Sequence, residues 1–270
     1  MGKEVVKNIA VLIVIGALFL PTITHAEFSS LLTQSGHSIS FSQSSYQYHE
    51  PGLVSLKGSK IGLDMLATQV WQNGLFIRGD LRYAFGAVDY NSNGTGSASG
   101  EPDWYIETRG LVGKDWWVKG MVLSPYTGLG YRFLFNDGRG VTSTGASGYR
   151  RESNYFYLPL GISDRFRITE QSNLETQLEY DFLLSGRQIT RLTDTGLGFS
   201  NVTNNQHMGY GLKLSVMYQK NTWAIGNYLH YWNIGQSDST ILYRNDTLYG
   251  TAWEPKNNTI EFGIKILQRF

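Results

Sequence analysis

Along most of this chain apolar and polar side chains alternate one by one, the period of an extended strand with one greasy face. Ten such segments can be marked out. The first covers about 36–50, with Ile39 and Phe41 in phase, and breaks at Pro51-Gly52. The second covers about 59–71 (Ile61, Leu63, Met65) and ends at Trp71 before the turn signal Gln72-Asn73-Gly74. In the third, Leu75, Ile77, Leu81, Tyr83 and Phe85 share one face and Arg78, Asp80 and Arg82 the other. The fourth, about 103–113, sets Trp104 and Ile106 against Glu107 and Arg109; the fifth, about 121–135, sets Leu129, Tyr131, Phe133 and Phe135 against Gly128, Gly130 and Arg132. Segment six, about 150–163, carries Phe156, Leu158, Leu160 and Ile162, with Pro159 marking a local break in pairing. Segment seven, about 173–186, opposes Leu174, Leu178, Tyr180, Phe182 and Leu184 to Glu175, Gln177, Glu179 and Asp181. The eighth, about 206–219, opposes Met208 through Tyr218 to His207, Gly209, Gly211, Lys213 and Ser215. The ninth, about 222–234, is apolar on both faces, which leaves its register open; the tenth, from Asn257, aligns Ile260, Phe262, Ile264 and Ile266 against Glu261, Gly263 and Lys265.

The linkers add a second regularity. Those after segments two, four and eight are short, and 163–172 after segment six reads as an intermediate turn. Polar stretches rich in Gly, Ser, Thr, Asn and Tyr follow segments three (91–102), five (136–149), seven (187–205) and nine (235–256). An even strand count with turns short at one end and long at the other is the arrangement of single-chain membrane barrels. Trp71, Trp116, Trp117 and Trp223 all sit by short turns, where an interfacial aromatic girdle is expected.

The N-terminus supports export. Lys3 and Lys7 precede an apolar run from Ile9 to Leu20, and Thr24-His25-Ala26 offers a small-residue cleavage site, so 1–26 is expected to be a signal peptide and 27–270 the mature domain. The run is shorter than the roughly 20 residues of a spanning helix. With no cysteine there is no acylated lipoprotein cysteine, disulfide framework or thiolate metal site. A net charge of +1 gives no reason to expect nucleic acid as a partner.

The last strand, ending Ile264-Lys265-Ile266-Leu267-Gln268-Arg269-Phe270, resembles the closing strand of Gram-negative outer-membrane β-barrels, among them the small opacity- and porin-like proteins, although Gln268 stands where that family usually has an apolar residue. The resemblance implies an all-β, antiparallel up-and-down barrel of about ten strands in the bacterial outer membrane, with Phe270 as an insertion signal read by the barrel assembly machinery. It also implies outer-membrane lipids and lipopolysaccharide as surroundings.

Alternation alone does not say which face is inside; a lipocalin-like barrel would bury the apolar one. Export and the turn asymmetry favour the inverse, and glycines on the polar face (Gly86, Gly128, Gly130, Gly161, Gly209, Gly211, Gly263) suit a narrow lumen. The lumen would then hold Arg78, Arg82, Arg109, Arg132, Lys213 and Lys265 beside Asp80, Glu107, Glu175, Glu179, Asp181 and Glu261, balanced charges expected to pair into a filling network.

Catalytic signals are weak. Omptin-type proteases, also ten-stranded barrels, use an Asp pair facing Asp–His at the outer rim, and no Asp-x-Asp or Asp-x-His occurs on an external strand end here; His49, His207 and Asp194 are the nearest groups. His37 and Ser40 form a nominal His-x-x-Ser for a lipase-like pair, but their spacing points them to opposite faces. No HExxH, phosphate loop, EF-hand or dinucleotide fingerprint is present, so neither enzyme activity nor a cofactor or metal is expected. Three functions stay open: a surface barrel binding a host or extracellular ligand through its loops, a narrow pore for small polar solutes, and a surface hydrolase.

Overall fold

Ten long strands pair in sequence and close into a barrel. The computed structural model describes residues 31–270; the signal-like segment 1–26 lies outside the described residues. The staves are β1 (Gly36–Glu50), β2 (Val54–Val70), β3 (Leu75–Ser92), β4 (Gly96–Lys114), β6 (Met121–Asp137), β7 (Arg150–Thr169), β8 (Ser172–Thr190), β10 (Gly209–Lys220), β11 (Trp223–Ile234) and β14 (Asn257–Arg269). Each is antiparallel to its neighbours, and β14 returns to β1 with Ile266 opposite Phe41, so no edge is left open. Four shorter strands decorate the ends: β5 (Trp116–Val118), β9 (Val202–Gln206), β12 (Ser239–Arg244) and β13 (Thr247–Trp253).

Burial settles which face is inside. Phe41 is 64% exposed, and Ile61, Ile77, Phe85, Phe262 and Ile264 join it on the outside. Arg82, Glu107, Arg132, Glu179, Lys213 and Glu261 are buried inside. This is a water-soluble barrel turned inside out, with an exterior suited to hydrocarbon. Two aromatic belts bound the apolar band. At the short-turn end stand Trp71, Trp116, Trp117 and Trp223, all exposed; towards the other end Trp104 packs against Tyr83, Phe133 and Phe135.

The structure revises several boundaries. Residues 91–102 are not a loop: β3 and β4 run on as a ladder, Tyr90 opposite Ala98, to a tip at Asn93–Thr95. Beyond the lipid a strand needs no greasy face, so the alternation stops while the pairing continues. Nor is 163–172 an intermediate turn. β7 and β8 stay paired as far as Thr169 and Ser172, with Asp164 interrupting an outward face that resumes at Phe166 and Ile168. All turns at that end are therefore short. The polar stretch 187–205 contains the end of β8, a 3-10 turn at Leu192–Thr195 and β9, and 235–256 contains the β12–β13 hairpin. Pro159 does mark a break: β6–β7 pairing skips from Thr127↔Leu160 to Gly130↔Tyr157, and Thr127 Oγ1 donates to the Pro159 carbonyl at 2.8 Å. β11 turns Tyr228, Trp232 and Ile234 inward and Trp223 and Ile225 outward, which is why its sequence reads apolar on both faces.

Candidate functional site

The site is the lumen, filled in layers. At the short-turn mouth the lead-in chain folds inward. Thr33 donates its backbone N–H and hydroxyl to Asp115 at 2.6 and 2.8 Å, and Arg165 bridges Asp115 (3.2 Å) and the Thr33 hydroxyl (2.8 Å). Above this latch Glu175 accepts from Gln219 at 2.7 Å and faces Arg165 and Arg269 at 3.9 and 3.8 Å. Arg78 lies with its guanidinium 5.5 Å from the centre of the Phe76 ring.

The middle layers join strands from all round the barrel. Arg109 pairs with Asp80 and, at 2.7 Å, with Glu179, which also accepts from Tyr126 at 2.8 Å. Lys213 meets three carboxylates: Glu107, Glu179 at 3.1 Å and Asp181 at 3.3 Å. Arg82 donates to Asp64 at 3.0 Å and to Glu261 at 2.7 Å, and its remaining N–H groups reach the Tyr105 and Tyr228 hydroxyls at 2.6 and 2.7 Å. Those hydroxyls in turn donate to Glu261 at 2.7 and 2.8 Å, while Lys265 reaches Asp64 at 3.2 Å. Each of these charges thus has an opposite charge beside it, although Asp181 accepts no hydrogen bond; such pairing is the condition under which buried ions persist.

Glycine makes room for the rings. Gly130 and Gly161 sit directly opposite Tyr157 and Tyr126 in the ladder, and a methyl at either position would overlap the facing ring. Small residues on the polar face therefore seat tyrosines as well as long charged chains.

Nearer the long-loop end, Lys60 pairs with Asp103, and Arg132 lies between Tyr105 and Trp232, 4.2 and 5.6 Å from their centroids. At the mouth Arg151 bridges Glu50 (2.7 Å) and Glu254, with the Tyr48 hydroxyl alongside. Burial pushes the Glu254 carboxyl up, and Arg151 pulls it back. A vestibule of about 330 Å³ opens above, lined among others by Glu50, Tyr90, Glu101, Tyr149, Arg151 and Trp253.

All twelve charged residues expected to face the lumen do so, but they are not a closed set. Lys60, Asp64 and Asp103 were legible as the residues out of phase with Ile61, Met65 and Trp104. Arg165 and Asp115 were not, since they lay in stretches read as turns. Phe270, just past β14, is exposed, its N–H bonded to the His37 carbonyl at 2.9 Å.

The catalytic candidates do not converge. His37 is exposed on the outer face and Ser40 buried on the inner. His49 projects from β1 away from the lumen, and His207 is exposed between β9 and β10. Asp194 is held instead by Arg150 through its backbone N–H, Nε and Nη2 at 3.1, 2.8 and 2.7 Å, and this guanidinium lowers its pKa to about 2. Among the described residues no cluster of His, Cys, Asp and Glu could hold a metal.

No family model matches the sequence, and no curated protein matches it either. Comparison with solved structures does find likenesses. The outer membrane protease OmpT of Escherichia coli superposes with a TM-score of 0.56 at 10% identity, covering 87% of this chain and 96% of that one. The β-domain of the Bordetella autotransporter BrkA gives 0.41 at 14% identity (88% and 100% covered), and a major outer membrane protein of Thermus thermophilus gives 0.40 at 12% (87% and 99%). At such identities the likeness to OmpT speaks for the barrel alone. The chain is a closed, ten-stranded, antiparallel up-and-down β-barrel, similar in fold to that protease.

Proposed function

We propose that this protein is an outer-membrane barrel that does not conduct and that works at the cell surface, binding an extracellular partner through its long loops. One observation carries the reading: ion pairs cross the lumen in successive layers from Arg165–Asp115 to Arg151–Glu254, leaving no wide aqueous path for solute. The apolar exterior between its aromatic belts supports a lipid-embedded barrel, with lipopolysaccharide around the loop end and the assembly machinery acting on the C-terminal strand. The β12–β13 hairpin supplies a binding face, since Ile241, Tyr243, Leu248, Tyr249 and Trp253 are all exposed there. Large, rigid aromatic side chains flanked by small polar ones bind partners at low entropic cost. A binding role is favoured over hydrolysis because Asp194 is engaged by Arg150 rather than by His207.

The test pairs two assays on one preparation. The refolded protein, checked by a heat-shift gel, should be silent in planar bilayers. Bacteria displaying it should adhere to host cells, and exchange of residues 239–253 for a short turn should abolish adhesion without unfolding the barrel. Reproducible conductance steps would instead make it a narrow pore, and adhesion indifferent to the exchange would remove the hairpin from the proposal.

A further inference from the structure

Most lumen charges are paired, but among the described residues Arg132, like Arg78, is in no ion pair, and Arg132 is the more deeply buried of the two. It is 1% exposed, yet Nε, Nη1 and Nη2 donate no hydrogen bond. Its cross-strand partner in the ladder is Glu107, whose Oε1 accepts from Lys213 and the Tyr157 hydroxyl and not from Arg132. Asp103, which lines the same cavity, is paired through Oδ1 with Lys60. Faces of Tyr105 and Trp232 flank the guanidinium and fix it, which partly offsets the cost of burying it but supplies no acceptor.

Arg132 lines a cavity of about 40 Å³ whose walls include Tyr46, Tyr155 and Trp232. That is space for a group of one or two water molecules' bulk, which suits a carboxylate head. The cavity shares Leu56, Asn136 and Arg151 with the vestibule above it, and the remainder of a ligand held at Arg132 would extend outward past them. There it meets Tyr90, Tyr149 and Trp253. We propose that the orphaned guanidinium of Arg132, at the floor of the outer vestibule, binds the carboxylate of a small aromatic monocarboxylate entering from the cell exterior.

Three features set this class. The free fork of Arg132 matches a carboxylate in two parallel hydrogen bonds, which a lysine could not. The vestibule's aromatic walls suit a flat apolar remainder. Glu50, Glu101 and Glu254 stand around the entrance with Arg151 already committed to two of them, so the entrance opposes any anion and opposes a doubly charged one more than a singly charged one. The site lies below the loops and goes beyond the adhesive role proposed for them.

The experiment is fluorine NMR of 4-fluorobenzoate titrated into the intact, refolded barrel in zwitterionic detergent. 4-Fluorobenzyl alcohol reports partition into micelles, and acetate and inorganic phosphate serve as competitors. Saturable binding should weaken at least tenfold in Arg132→Met, with the alcohol not binding and acetate displacing the probe far better than phosphate. Arg132→Lys, which keeps the charge but not the fork, should also weaken binding and carries the test if Arg132→Met fails the heat-shift gel. Unchanged affinity in the folded variants, equal uptake of the alcohol, or phosphate competing as well as acetate would each overturn the proposal.

Discussion

Replacing Arg82 by methionine keeps most of the side-chain volume and removes the charge on which partners from several strands converge. The loss can be worked from those partners. Glu261 loses a guanidinium at 2.7 Å but keeps the hydroxyls of Tyr105, Tyr228 and Ser44 at 2.7, 2.8 and 3.0 Å. Asp64 loses Arg82 and keeps Lys265 at 3.2 Å. Breaking a buried ion pair by removing one partner costs about 3–5 kcal/mol when the other is left uncompensated. With these residual donors the lower end applies, about 3 kcal/mol. Urea unfolding in lipid vesicles, followed by tryptophan fluorescence, measures it. A cycle with Glu261→Gln should recover part of the loss, because the neutral amide needs no counter-ion. A change below about 1 kcal/mol for Arg82→Met would mean that water solvates Glu261 and Asp64; the filled-lumen reasoning would then fall.

Two further outcomes follow from the surface and the loops. Ile264→Arg puts a charge on the apolar band, where Ile264 is 54% exposed; in vesicles it should cost about 2–4 kcal/mol if the site is near mid-membrane, and a neutral result would mean that this face meets water. Arg150, at the start of β7, holds the pKa of Asp194, in the loop after β8, at about 2, below the ordinary carboxylate value near 4. A depressed carboxylate contributes stability that is present above about pH 4 and lost as pH falls through about 2. Carbon-13 titration of the Asp194 carboxyl should therefore show a midpoint near 2 that moves up towards 4 in Arg150→Gln, and an unmoved midpoint would dismiss the pairing.

Much of the barrel was legible because its exterior is uniform. Lipid asks every outward residue for the same thing, so Ile260, Phe262, Ile264 and Ile266 announce a strand whatever lies behind them. The lumen asks different things at different heights. Charges there are conspicuous, but the inward tyrosines count as apolar in any periodicity, and on β11 Tyr228 and Trp232 hid the register. Where strands rise out of the membrane, as β3 and β4 do, neither face carries a pattern and the ladder is invisible to alternation. The partner of a charge on a non-adjacent strand was not legible at all. Arg82 and Glu261 are brought together only by closure of the ring, and no local spacing records that meeting.

That closure has a bearing on how the chain finds its register. A slip of one residue between two strands turns polar side chains outward and is rejected by the lipid. A slip of two keeps every apolar residue outside, and hydrocarbon cannot detect it. The lumen can. Moved two places along β14, Thr259 or Gly263 would occupy the height of Glu261, and Arg82 would face an uncharged hydroxyl or nothing. Ion pairs that contribute modestly to net stability thus distinguish the native alignment from its nearest in-phase competitor, serving as a proofreading step when the last strand docks on the first.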